Sequence, residues 1–250
     1  MTVTAEPLGS ARVVRWEQAG KLNAWTRETI DAIADAIEEA ADDEAVRCIV
    51  VRGAGENFSA GDDLQAALQA SAEDWAATIA AFTRVSRVTL DAPVPVLAAI
   101  DGVCIGGALE FAASCDLRIA TDRARFATPE VGIGLVATNA GTLLLPEVLG
   151  ETAARELLLT GALRDAAWAE RNRFVSEIVA PEALDERVAA WAAGFDAVSR
   201  TAVARTKAML NARLGDLVAA AMDREERACV ELFDSPDARR ALEAFASRRR

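Results

Sequence analysis

Apolar and polar positions along the chain switch between two periods. Residues 12–16 (RVVRW) alternate and predict a strand. Thr26 is a good N-cap, Glu28 suits a first helical turn, and Ile30, Ile33 and Ile37 recur at helical spacing. The predicted helix ends near Asp42-Asp43, and residues 46–51 (VRCIVV) predict a second strand, broken by Gly53-Ala54-Gly55. Residues 58–64 (FSAGDDL) read as a turn, followed by an alanine-rich helical stretch holding Trp75 and Phe82. Residues 93–100 (PVPVLAAI) predict a buried strand whose prolines are confined to its start. Gly106-Gly107 then opens a helix running from Ala108 to about Ser114. A strand is predicted at 117–120, an extended piece at 125–127 and a loop at 128–132. From about residue 143 the pattern is mostly helical, punctuated by Pro146, Pro181 and Pro236. Strands separated by helices, then helices alone, predict an α/β core with a helical C-terminal part.

Composition narrows the chemistry. The 250 residues contain no His and no Tyr, which removes Ser-His-Asp and Cys-His triads, most zinc sites and any phenolic acid or base. Proton transfer near neutral pH falls to carboxylates, cysteines or the two lysines, Lys21 and Lys207. A net charge of −12 argues against a nucleic-acid partner, and the one basic run, 248–250, reads as a solvated tail. Cys48, Cys104, Cys115 and Cys229 form no CxxC pair and lie in apolar stretches, as expected of reduced core thiols. Residues 1–10 have neither a basic nor an apolar leader character, and no run of about 18 apolar residues occurs. A cytoplasmic protein without membrane partners is expected.

Two glycine turns and two glutamates carry the candidate chemistry. Gly106-Gly107 stands between a predicted strand and a helix, where it would leave the first helical N–H groups free to face an anion or a developing oxyanion. Ala60-Gly61-Asp62 is a second such turn. Two N–H groups from two turns can bracket one carbonyl oxygen, each typically contributing about 2.7–4 kcal/mol. Glu110 lies one helical turn beyond Gly107 among apolar neighbours, so it is paired, raised in pKa or functional. Arg118 and Arg125 are its candidate structural partners. Glu130 follows Pro129 in the predicted loop; alone it would be an ordinary surface residue. GVCIGG (102–107) does not match the dinucleotide-binding GxGxxG pattern.

At these residues the sequence resembles the enoyl-CoA hydratase/isomerase (crotonase) superfamily. The resemblance runs through KLNAW (21–25), FSAGDDL (58–64), PVPVLAAIDGVCIGGALEFAASCDLRIA (93–120), FATPEVGIG (126–134) and ELFDSPDARRALEAFASRRR (231–250), in order. It implies a spiral of ββα units over residues 1–195 with a helical oligomerisation region at 196–250, assembled as a homotrimer or a dimer of trimers. It also implies an acyl-CoA thioester substrate held as an enolate by the backbone N–H groups of Asp62 and Gly107. An acidic side chain at Asp62 is then expected to turn away from the enolate. The two glutamates match a hydratase pair: Glu110 would activate water and Glu130 would exchange the proton at the α-carbon. Lys21, Leu22, Ala60, Leu64, Phe233, Phe245 and Arg248 match positions that contact coenzyme A, the last three from the same or a neighbouring subunit. No metal is implied, and no cofactor beyond the coenzyme A that the substrate carries.

One stretch departs from the family. Its hydratases carry a Pro-Gly-Ala-Gly-Gly-Thr-like loop, and the N–H of its first glycine helps hold the catalytic water. Here residues 137–142 read ATNAGT, placing β-branched Thr138 at that point and a polar Asn139 beside it. Hydration of a 2-enoyl-CoA is the leading expectation. An enoyl-CoA isomerase, thioester hydrolysis, C–C cleavage and a non-catalytic acyl-CoA-binding role are the alternatives.

Overall fold

A computed structural model describes residues 2–18 and 20–247, with side chains to residue 244. In chain order its elements are β1 (Thr2–Leu8), β2 (Ala11–Glu17), α1 (Arg27–Asp42), β3 (Cys48–Gly53), α2 (Leu64–Gln69), α3 (Ala72–Asp91), β4 (Val96–Ile100), β5 (Val103–Ile105) and α4 (Gly107–Ser114). Next come β6 (Leu117–Thr121), β7 (Arg125–Ala127), a 3-10 turn (Pro129–Ile133), α5 (Gly141–Leu149), α6 (Glu151–Thr160), β8 (Arg164–Asp165), α7 (Ala166–Arg171) and β9 (Glu177–Val179). The chain ends in α8 (Leu184–Gly194), α9 (Arg200–Ala212), α10 (Gly215–Phe233) and α11 (Pro236–Ser247).

The larger sheet has the order β1-β2-β3-β4-β6-β9; β1 and β2 form an antiparallel hairpin and the remaining pairs are parallel. A smaller sheet has the order β5-β7-β8. The two sheets are wound together. β4 enters the larger sheet, β5 the smaller, and α4 returns; β6, β7 and the 3-10 turn repeat that path. A bridge between Ser59 and Cys104 gives the segment after β3 the same course ahead of α2 and α3. These repeated ββα turns form a spiral, as expected.

Apolar runs in β3 and β4 fit strands covered on both faces, and every residue of β4 is buried. Trp16, Trp25, Phe58 and Phe111 meet edge-on or stacked with ring centroids 4.9–6.5 Å apart, joining β2, α4 and the two intervening loops. The indole Nε1–H of Trp16 donates to the Phe58 carbonyl at 2.7 Å. Arg118 does not pair with Glu110. Its guanidinium donates to the carbonyls of Ala112 and Cys115 at the end of α4, and to that of Phe174. Arg125 turns to the Ala124 carbonyl.

Several elements differ from the sequence expectation. β1 carries Pro7 on an edge, where a missing N–H costs no ladder bond, and mixed exposure hides its alternation. β8 and β9 are too short to leave a periodic signal. Pro146 lies inside α5 rather than ending it, and residues 129–133 wind into a 3-10 turn. Among the described residues no helix is long and apolar enough to cross a membrane.

Candidate active site

The two glycine turns meet. A Cβ placed on Gly61 would lie 2.6 Å from the Ile105 carbonyl oxygen and 3.4 Å from the Gly107 nitrogen. Gly61 also has φ +79°, so the close approach and the backbone angle both require glycine there. Around it the polar backbone is spent: Trp25 N donates to Gly61 O, Asp63 N to Trp25 O, and Gly61 N to Ser59 Oγ. The N–H groups of Asp62 and Gly107 have no partner among the described residues, and both residues line one cavity. That is the donor pair an oxyanion hole needs.

The cavity holds about 70 Å³. Its polar wall is formed by Asp62, Gly106, Gly107, Glu130 and Thr138, and its apolar wall by Trp75, Ile79, Phe82, Leu135 and Val136. Phe82 presses on Gly107 so closely that a Cβ there would lie 2.6 Å from the ring. Behind the cavity Trp75 stacks on Phe233 with centroids 4.7 Å apart. An adjoining cleft of about 230 Å³ shares Ala60, Asp62, Leu64, Ile105 and Pro129 with the cavity, and adds Lys21 and Leu22. Four of the expected coenzyme A contacts therefore line one cleft: Lys21, Leu22, Ala60 and Leu64. Lys21 is not a free cation, because its Nζ lies 2.5 Å from Asp63, which caps α2. Phe233 is packed under Arg239 behind Trp75 and lines neither space. The Phe245 side chain and Arg248 fall outside the described residues.

Glu110 is 1% exposed in the first turn of α4. One of its oxygens, Oε2, accepts from Thr138 N–H (3.0 Å), Thr138 Oγ1–H (2.9 Å) and Asn139 Nδ2–H (3.3 Å). Oε1 has no partner among the described residues. Thr138 thus turns both its donors onto Glu110. Burial, then the charges of Glu130 and Glu225, push the Glu110 pKa well above the carboxylate range.

Glu130 reaches the cavity past Gly106, where a Cβ would lie 2.8 Å from its Oε1. Its Oε2 is buried without a partner among the described residues, and burial pushes its pKa up to about 7. Asp62 lines the cavity, the cleft and a third space beside Thr26 and Arg27, and its carboxyl makes no hydrogen bond among the described residues. Burial, with Asp63 and Glu130 nearby, raises its pKa to about 7. Asp62 and Glu130 thus line one small space, and Glu110 lies behind Thr138 at its wall, all three with raised pKa.

The remaining titratable candidates lie elsewhere or are silenced. Lys207 is buried against the carbonyls of Thr89 and Val94 and the Asp116 carboxylate. The four cysteines are buried and unpaired; the thiol of Cys229, at the cavity wall, is pushed up to about 12 by burial.

Sequence reasoning missed Glu225. This α10 residue is buried and accepts from Thr142 N–H at 2.8 Å and from its hydroxyl. In the sequence it sits in DREER (223–227), which reads as a solvated charge run. Only the fold brings it against residues 83 positions away.

A family profile described as enoyl-CoA hydratase/isomerase matches residues 10–250. The chain is 33% identical over 230 residues to the crotonyl-CoA hydratase of Syntrophomonas wolfei, covering 92% of this chain and 88% of that one. It is 30% identical over 249 residues to the short-chain-enoyl-CoA hydratase of Clostridium acetobutylicum, covering 99% and 95%. The crystal structure of an enoyl-CoA hydratase from Mycobacterium avium subsp. paratuberculosis K-10 superposes with a TM-score of 0.89 at 26% identity, covering 98% of this chain and 96% of that one. Profile, relatives and fold agree: the chain belongs to the enoyl-CoA hydratase/isomerase, or crotonase, family.

Proposed function

We propose that this protein adds water across the double bond of a 2-enoyl-CoA thioester. The observation that carries the reading is one cavity lined by Asp62 and Gly107, whose backbone N–H groups have no partner among the described residues, and by Glu130, with Glu110 buried behind its Thr138 wall and within reach of the Glu130 charge. The thioester oxygen lies between the N–H groups of Asp62 and Gly107, with the coenzyme A arm in the cleft of Lys21, Leu22, Ala60 and Leu64.

The glutamate pair shares one proton near neutral pH, because the charge of Glu130 disfavours a second charge on buried Glu110. Three donors favour the charged form at Glu110, leaving the proton on Glu130. Glu110 takes a proton from water as its oxygen bonds to C3. The C2–C3 π electrons move toward C1, and the carbonyl π pair moves onto the thioester oxygen. The two N–H groups hold that enolate. Collapse of the enolate draws the Glu130 proton to C2, and return of one proton from Glu110 to Glu130 closes the cycle. The acid–base chemistry is supplied by the carboxyls, and coenzyme A enters as part of the substrate. The C-terminal helices hold copies of the chain together in this reading.

One observation favours a second reading. Thr138 spends its N–H and its hydroxyl on Glu110, leaving neither to hold a water. An isomerase moves a proton between carbons, needs no water and can work through Glu130 alone. Incubation with crotonyl-CoA separates the two. Loss of the conjugated thioester absorbance, with 3-hydroxybutyryl-CoA found by mass, is the expected result. An unchanged band from protein that binds the ester would overturn the hydratase reading.

A further inference from the structure

The loop that grips Glu110 is held in an uncommon shape from outside the site. Residues 138–140 lead into α5, and both Asn139 (φ 60°) and Ala140 (φ 59°) are left-handed without being glycine. Such a pair of angles persists only where surrounding contacts fix it. Within the loop, Gly141 N donates to Thr138 O, and Asn139 Nδ2 reaches the Gly107 carbonyl at 3.2 Å. The outside contact is Glu225. Its carboxylate stands at the N-terminus of α5, accepting from Thr142 N–H and Oγ1–H. That end of the helix carries unpaired N–H groups and the positive end of the dipole, so a carboxylate suits it.

We propose that Glu225 is a positioning residue: from α10 it locks the 138–142 loop so that Thr138 and Asn139 hold Glu110 by one oxygen and leave the other unpaired. The chain of contacts is continuous, from Glu225 to Thr142, through the left-handed pair, to Thr138 and Glu110. Catalytic geometry in α4 thus depends on a helix more than a hundred residues away in sequence. The inference rests on Glu110 being catalytic, as in the proposed function.

The test compares the full-length protein with Glu225→Gln and Glu225→Ala. Gln keeps an acceptor for Thr142 but removes the charge; Ala removes both. Two readouts are used: kcat and KM on crotonyl-CoA, and the titration midpoint of Glu110 in unliganded protein, followed by NMR of 13C-labelled glutamate. The titratable groups that face Glu110 are Glu130, Glu225 and Cys229, so Glu130 is followed in the same spectra.

With the loop held by Glu225, Glu225→Ala lowers kcat at least tenfold with KM within about threefold, and Glu225→Gln retains most of the kcat. The Glu110 midpoint falls in Glu225→Gln, since a like charge is gone. It lies higher in Glu225→Ala than in Glu225→Gln, since the released loop takes its donors away from the carboxylate. Coincident midpoints in the two variants, or a kcat loss that only tracks the folded fraction, would overturn the proposal. A wild type inert toward crotonyl-CoA would count against the hydratase reading instead, and the midpoint comparison would still decide the role of Glu225.

Discussion

A carboxyl group beside a developing enolate should slow catalysis whenever it carries charge. In the proposed mechanism Asp62 supplies an oxyanion N–H from its backbone, and its own carboxyl, raised to about 7 by burial and by Asp63 and Glu130, belongs to a residue lining the same cavity. As pH rises through 7 the group ionises and opposes the enolate. The ratio of kcat in Asp62→Asn to that in wild type should therefore climb between about pH 6 and pH 8. A ratio flat across that range would mean that the carboxyl stays neutral or does not sense the oxyanion. The position of this residue was legible in FSAGDDL, but its surroundings were not, because they follow from how the Gly61 turn meets Ile105 and Gly107, a contact between segments more than forty residues apart.

At the scale of elements, α4 and its flanking turns were the best read from sequence. Glycines, a buried strand and an apolar helix lie within one short stretch there, and local rules suffice. Gly107 also carries a packing constraint, because Phe82 of α3 occupies the space a side chain would need. Gly107→Ala should destabilise the fold by about 1–3 kcal/mol through overpacking and lower kcat by displacing its own N–H. Adding Phe82→Leu should restore much of the melting temperature; a double variant no more stable than Gly107→Ala would place the strain elsewhere. The 137–142 loop was read only in part. Thr138 stood out as a departure, but its two bonds to Glu110 and the Glu225 anchor at Thr142 depend on α10 packing against α3 and α5. β1, β8 and β9 were missed because exposed edges and two- or three-residue strands carry little periodicity.

For the whole molecule, composition already pointed to carboxylate chemistry, since a chain without His or Tyr has few other groups to use. The spiral then brings two of those carboxyl residues, Asp62 and Glu130, to one cavity and a third, Glu110, behind its Thr138 wall. Met209 and Leu210 on α9 and Leu217 on α10 are each more than half exposed, an apolar set that association would cover. Light scattering at micromolar concentration should give a mass of three chains or a multiple of three, and Leu210→Glu should shift it toward one. A wild-type monomer would show that those helices serve another purpose. The central claim is that Glu110 and Glu130 act together on water, and kcat of wild type, Glu110→Gln and Glu130→Gln on crotonyl-CoA tests it most directly. Each variant should lose about 10²–10⁴-fold in kcat with little change in KM. A Glu110→Gln enzyme that keeps most of its rate would contradict the paired mechanism and leave Glu130 as the sole proton carrier.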